Sequence, residues 1–177
     1  MKRSGLILFR QSWRTNVGVV MGNLVMFLQF FSGLLFAMVA GSVFGIWRGY
    51  DPTTYSAVTF VEMHQGAVRG LNVLLPGLAL VSIALTLALA WLARGKGLAF
   101  WCYAGALALM VGAGIVTRLF NQPINAQVMG WSPEALPSTW TEFRATWWNW
   151  HLLRTGLSVL AMALLLAAIV TDRQPLR

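Results

Sequence analysis

Four long apolar runs constrain the fold of this chain more than any motif does. A helix needs about 20 apolar residues to cross the hydrocarbon core of a bilayer. Residues 17–47, 71–93, 98–118 and 151–171 meet that requirement. Only 10% of the 177 residues are charged, against about 25% in an ordinary soluble domain. The pattern predicts an all-α integral membrane four-helix bundle, with residues 1–177 forming a single membrane domain. With polar lead-ins included, the helices are expected at 17–47, 55–93, 98–120 and 147–171. The first run exceeds one crossing, so it either tilts or projects beyond the membrane. The basic head "MKRSGLILFRQSWRTN" precedes it. Arg10 and Arg14 break the apolar core that a secretory signal would need, so the head reads as an uncleaved lead.

The net charge is +8, and its location argues against a nucleic-acid partner. Lys2, Arg3, Arg10 and Arg14 precede span one, Arg94 and Lys96 join spans two and three, and Arg173 and Arg177 follow span four. The positive-inside rule places all three groups, and therefore both termini, in the cytoplasm. A bacterial inner membrane is the expected location. Cys102 is the single cysteine and reads as a buried structural thiol. Trp13, Trp91 and Trp101 mark one interface. Trp47, Trp131, Trp140, Trp147, Trp148 and Trp150 crowd the other, beyond what anchoring requires.

The inner connection "ARGKG" is tight, so spans two and three should be antiparallel neighbours. The outer connection between spans three and four, residues 119–146, holds Pro123, Pro133 and Pro137 and is expected as a long loop rather than a continuous helix. Gly33, Ala37, Gly41 and Gly45 recur every four residues on span one, a stripe that permits close helix approach in lipid. Packing within the chain is the favoured use of the stripe. A homo-oligomer or larger membrane complex is the other. Asn23 and Gln29 on the same span are expected to face inward.

Polar residues gather at the outer end. Glu62, Gln65, Arg69, Asn72 and Pro76 follow steps of three and four and form one helical stripe, expected to point into the bundle. His64 lies on its flank. Arg118, Asn121 and Asn125 follow span three, the asparagines in what reads as an ordered turn. Trp147, His151 and Arg154 share a face at the start of span four. Ionisable residues in membrane spans are expensive and are candidates for function. Each alone also fits a snorkelling or structural role, but convergence of the whole group favours a site.

Two chemistries fit that layer. His64, His151 and Glu62 offer donors for haem or non-haem iron, although no metal-binding motif is present and no cofactor is favoured. Alternatively, His151 acts as a general base with Arg154 stabilising an oxyanion, and Asn121 and Asn125 orient the reacting group. Trp147, Arg118, Gln65, Arg69 and Asn72 would then line the substrate site. The tryptophans suit a flat, lipophilic aromatic ligand.

The segments "HQGAVRGLNVLLP", "NQPINAQ" and "WWNWHLLRTG" resemble the anthrone-oxygenase-like family of small four-span membrane proteins, long catalogued as a domain of unknown function. The resemblance covers residues 20–170. Its most specific part is Asn121, Pro123 and Asn125 followed by Trp147, His151 and Arg154. It implies oxygenation of an anthrone- or quinol-like substrate, apparently without a bound cofactor. The competing reading is a non-catalytic membrane subunit that binds a haem, quinone, pigment or partner protein. A channel is disfavoured, because the inner halves of spans two to four lack polar residues to line a path.

Overall fold

The computed structural model describes the backbone of residues 2–172 and the side chains of residues 16 and 18–172. The side chains of Lys2, Arg3, Arg10, Trp13 and Arg14, and residues Arg173 and Arg177, lie outside the described part. The described chain is all-α, with no strand and one isolated bridge between Ser132 and Ala135. Helix α1 spans Lys2–Gly49, α2 Ala57–Leu71, α3 Leu74–Leu92 and α4 Leu98–Val116. A π-helical segment, Thr117–Asn121, leads into α5 (Gln122–Val128), and α6 spans Trp140–Asp172. Four helical stretches are long and apolar enough to cross a membrane: Gly18–Thr54, Leu74–Leu92, Leu98–Val128 and Trp140–Asp172.

Helices α1, α3, α4 and α6 form a closed ring in which each packs on two neighbours, with α3 beside α4 as the short connection requires. That connection turns through Gly95 (φ 84°) and Gly97 (φ 55°), a region side chains disfavour. The most extensive contact joins α4 to α6. A Cβ on Gly105 would lie 2.9 Å from Leu164 Cδ1, so the helices meet where one contributes no side chain.

Two prolines reshape the expected helices. The second expected helix, 55–93, is broken at Asn72–Val73, and α2 and α3 are separate. Pro76 lacks an N–H and its ring clashes with the carbonyl four residues earlier, that of Asn72, which accounts for the break there. Pro123 does not end the third helix. The π-helical turn over 117–121 widens the ladder ahead of it, and Pro123 falls in the first turn of α5, where a missing N–H is harmless. Asn121 and Asn125 are therefore helical rather than in a turn, and the outer connection narrows to residues 129–139.

Two cores result. One lies in the ring and includes Phe36, Leu89, Tyr103, Met110 and Leu165. The other is an aromatic cap at the end of the ring that carries the 50–56 and 129–139 connections, where Tyr50, Phe60 and Trp147 are buried among Trp131, Trp140 and Phe143. Arg144 fastens the cap, donating from Nη1 to the carbonyls of Pro52 and Tyr55, both at 3.2 Å, across the Trp140 ring.

At the other end of the ring, Gln29 does face inward. It donates to Tyr103 Oη (3.0 Å) and to Asp172 Oδ2 (3.1 Å), while Lys96 pairs with Asp172 Oδ1 at 2.6 Å. Asn23, in contrast, is exposed, because that part of α1 runs past the ring. The small-residue stripe also departs from the in-chain reading. Gly33 faces Ile169, but Ala37, Gly41 and Gly45 are exposed. Packing within the chain instead uses Ser32, Phe36, Val39 and Val43, a quarter-turn away.

Candidate functional site

A cavity of about 590 Å³ lies in the half of the ring nearest the 129–139 connection. Its walls are mostly aliphatic, and its polar lining comprises Tyr50, His64, Asn72, Asn125, Trp147 and Arg154, with Thr117, Arg118, Gln122 and Ser158.

Asn125 is the hub of this polar lining. Its Oδ1 accepts from Trp147 Nε1 at 2.8 Å and lies 3.1 Å from His64 Nε2, while its Nδ2 donates to Asn72 Oδ1 at 3.0 Å. An indole N–H can only donate, so the atom facing it must be the amide oxygen. His64 Nε2 therefore carries the proton, and Nδ1 bears the lone pair. The remaining neighbour of Nδ1 is the Tyr50 hydroxyl at 3.5 Å, too long for a firm bond. His64 sits on α2, outside the four crossing stretches. Burial pushes its imidazole down to about 4, against the Asn125 hydrogen bond, which raises it, and with the Arg154 charge, which lowers it further. It is neutral at physiological pH.

The second histidine is arranged differently. Arg154 Nε and Nη2 both donate to His151 Nδ1, at 3.1 and 3.0 Å. A guanidinium has only donors, so this lone pair is taken. The proton is on Nε2, directed at Thr155 Oγ1 3.4 Å away. The His151 ring stacks on Trp147, with centroids 5.0 Å apart and planes 3° apart. Trp147 also meets His64 edge-on at 4.8 Å, and Arg154 lies 5.8 Å from its centre. Trp147 thus separates the two imidazoles and fixes both.

Arg154 lines the cavity, yet no carboxylate lies within ion-pair distance of it among the described residues. A positive charge at an apolar wall is unfavourable unless something answers it.

The family model described as Anthrone oxygenase matches residues 65–164. The chain belongs to the anthrone oxygenase family. No curated protein and no solved structure shows comparable similarity. The family segment contains Asn72, Asn125, Trp147 and Arg154 of the cavity wall. It begins one residue after His64 and excludes Tyr50.

The expected site residues separate into three groups. His64, Asn72, Asn125, Trp147 and Arg154 line the cavity together, and Arg118 lies at its rim, donating to Gln122 Oε1 at 3.2 Å. His151 and Asn121 stand behind the wall. Asn121 holds α6 by donating to the Trp147 carbonyl at 3.1 Å, and its buried Oδ1 has no hydrogen-bond partner among the described residues. Gln65 is occupied elsewhere, with Nε2 donating to the carbonyls of Val128 and Trp131, both at 3.0 Å, where α5 leaves acceptors open.

Glu62 and Arg69 do not point into the bundle. Both are exposed, because the buried face of α2 runs through Phe60, Val61 and His64. The trio Glu62, His64 and His151 is therefore not assembled for iron. Among the described residues no three metal-ligating side chains cluster. Two residues of this region had no place among the expected site residues. Tyr50 sits at the end of an apolar helix, where an aromatic reads as an interface anchor. Arg144 lies in a stretch expected to be loop.

Proposed function

We propose that the protein is an oxygenase-like membrane oxidoreductase acting on a flat, lipophilic anthrone- or quinol-like substrate in this cavity. The observation that carries the reading is Arg154, a cation with no carboxylate partner among the described residues, lining an apolar chamber together with the neutral imidazole of His64. Such a site suits a neutral ligand that becomes an anion during reaction. His64 Nδ1 takes the proton from the activated carbon or hydroxyl. Arg154, held in place by His151, stabilises the oxyanion that forms. Asn72 and Tyr50 orient the oxygen, and Trp147 supplies an aromatic edge to the ring system.

A base near 4 is poorly matched to neutral pH. The developing anion offsets that mismatch, because it lies between the His64 and Arg154 cations. The carbanion then gives its electrons to dioxygen. Addition of O₂ at the deprotonated ring carbon yields a hydroperoxide, and loss of water leaves the quinone carbonyl, so one anthrone and one O₂ give one anthraquinone and one water.

The reading includes a position in the bacterial inner membrane, with both termini and the Arg94–Lys96 loop cytoplasmic. It is supported by the four apolar helices and by the placement of basic residues. The test is quinone formation and oxygen uptake by the purified protein in lipid nanodiscs supplied with an anthrone. Turnover above the spontaneous rate is expected, falling to background in folded His64→Phe and Arg154→Met variants. Wild-type protein no faster than the spontaneous reaction, with anthrone and with several hydroquinones, overturns it.

A further inference from the structure

The exposed part of the cavity lining lies on one side. Lining residues from α1, α2, α5 and α6 are all buried or half-buried. The exposed ones are Leu80, Val111, Gly114, Ile115, Arg118 and Leu119, all on α3, α4 or the π-helical segment that continues α4. Leu80 is 68% exposed, Ile115 51% and Leu119 61%. These three belong to crossing helices, so in a bilayer their surroundings would be acyl chains rather than water. The seam also stays loose farther along, where a second hollow shares Val111 with the first.

Gly114 gives the opening its width. A Cβ built there meets nothing within 4 Å, whereas one on Gly112 meets Leu157 at 3.8 Å and one on Gly105 meets Leu164 at 2.9 Å. A glycine within a helix is less favourable than alanine, and no close helix approach requires this one. What its missing side chain leaves open is the seam.

We propose that the α3–α4 seam at Gly114 and Leu80 is a lateral portal through which an uncharged, flat ring compound enters the cavity from the hydrocarbon interior of the bilayer. The inference rests on reading the cavity as a substrate chamber, but it concerns the route and not the reaction. The ligand passes the aliphatic rim with its ring plane along the seam and brings its oxygen to the Arg154 end. A charged or strongly hydrated compound cannot use this route, since entry would strip its water in hydrocarbon. The portal at Gly114 and Leu80 therefore selects for lipophilicity before the ligand reaches the Arg154 end.

The experiment uses the full chain in phosphatidylcholine/phosphatidylglycerol liposomes and two photoreactive probes, an uncharged aryl diazirine phenol and its sulfonated, membrane-impermeant analogue. Adducts are mapped by peptide mass spectrometry after short illumination. The uncharged probe should label Val43, Val68 and Met110 inside the cavity, and the sulfonated probe should not. Gly114→Phe should lower interior labelling at least ten-fold and leave labelling of outward-facing Phe30 unchanged. Leu80→Trp, on the opposite rim, should act the same way, and Gly114→Ala should label as wild type.

Interior labelling that is unchanged in both blocking variants, absent in wild type, or equally strong with the sulfonated probe overturns the portal. Turnover is not needed for this measurement. A protein that labels as expected but oxidises nothing refutes the proposed reaction and leaves the portal standing. Loss of turnover in Gly114→Phe with unchanged interior labelling does the reverse.

Discussion

Replacing Asn125 with leucine tests the site most directly, because one side chain satisfies three others. The substitution removes the acceptor for Trp147 Nε1 at 2.8 Å and for His64 Nε2 at 3.1 Å, and the donor to Asn72 Oδ1 at 3.0 Å. Leucine has the same number and branching of side-chain heavy atoms as asparagine and is the bulkier of the two, so no cavity forms and the loss reads chiefly the polar network. Trp147 and His64 are buried and their N–H groups would have no replacement partner, at about 1–3 kcal/mol each. Asn72 is half-exposed, so it finds another partner at little cost. The sum is about 2–6 kcal/mol by that scale. Interhelical hydrogen bonds in membranes average only about 0.6 kcal/mol, which for three bonds gives about 2 kcal/mol. Both routes place the loss at about 2 kcal/mol or more. The assay is reversible unfolding in mixed micelles, with Arg69→Ala as the exposed control, expected to change stability by less than about 0.5 kcal/mol. Asn125→Asp should lose less, since its carboxylate still accepts from both buried N–H groups. A loss below about 1 kcal/mol for Asn125→Leu, indistinguishable from the exposed control, would refute the hub and the His64 tautomer deduced from it.

Two further outcomes follow from the same geometry. The depressed His64 imidazole, near 4 against an ordinary 6.5, means that the folded state resists its protonation. Its contribution is complete above pH 6.5 and is lost as pH falls toward 4. Thermal unfolding of wild type minus His64→Phe should therefore be flat above pH 6.5 and decline below it, and an equal pH slope in both proteins contradicts the buried neutral assignment. At the opposite end, Asp172→Leu severs the links to Lys96, Gln29 and Tyr103 together and should lower stability by about 2 kcal/mol. Lys96→Ala should cost about 0–1 kcal/mol, because that lysine is partly solvated. Equal losses in the two variants would show that the ion pair alone holds that end.

The crossing helices were legible because apolar run length is a nearly sufficient signal in this composition. The breaks within them were less so. Both prolines were visible, but a proline alone does not say whether a helix ends, kinks or absorbs it. Pro76 separates α2 from α3, and Pro123 is absorbed by the π-helical turn ahead of it. Extending one ideal helix through Pro76 turned the whole stripe of Glu62, Gln65, Arg69, Asn72 and Pro76 inward, whereas Asn72 and Pro76 line the cavity, Gln65 is half-buried, and Glu62 and Arg69 are exposed. The aliphatic and aromatic anchors Phe60 and Val61, followed by His64, Val68 and Leu75, trace the face that is buried or half-buried. Polarity and burial need not coincide on such a helix, so polarity alone did not separate the inward members of the stripe from the exposed ones on α2.

The two histidines show why convergence was legible and role was not. On α6, spacing of three brings His151 and Arg154 together, which marked them as a pair. That same closeness consumes the His151 lone pair, since a guanidinium offers only donors. The pair therefore delivers an oriented positive charge rather than a base. The imidazole with an unsaturated lone pair comes from a different helix, and it is oriented through Asn125, sixty-one residues away in sequence. No local spacing encodes that contact. A base and a cation on separate helices, with Trp147 wedged between their histidines, can face one ligand from two sides without neutralising each other. Two adjacent residues of one helix cannot do so.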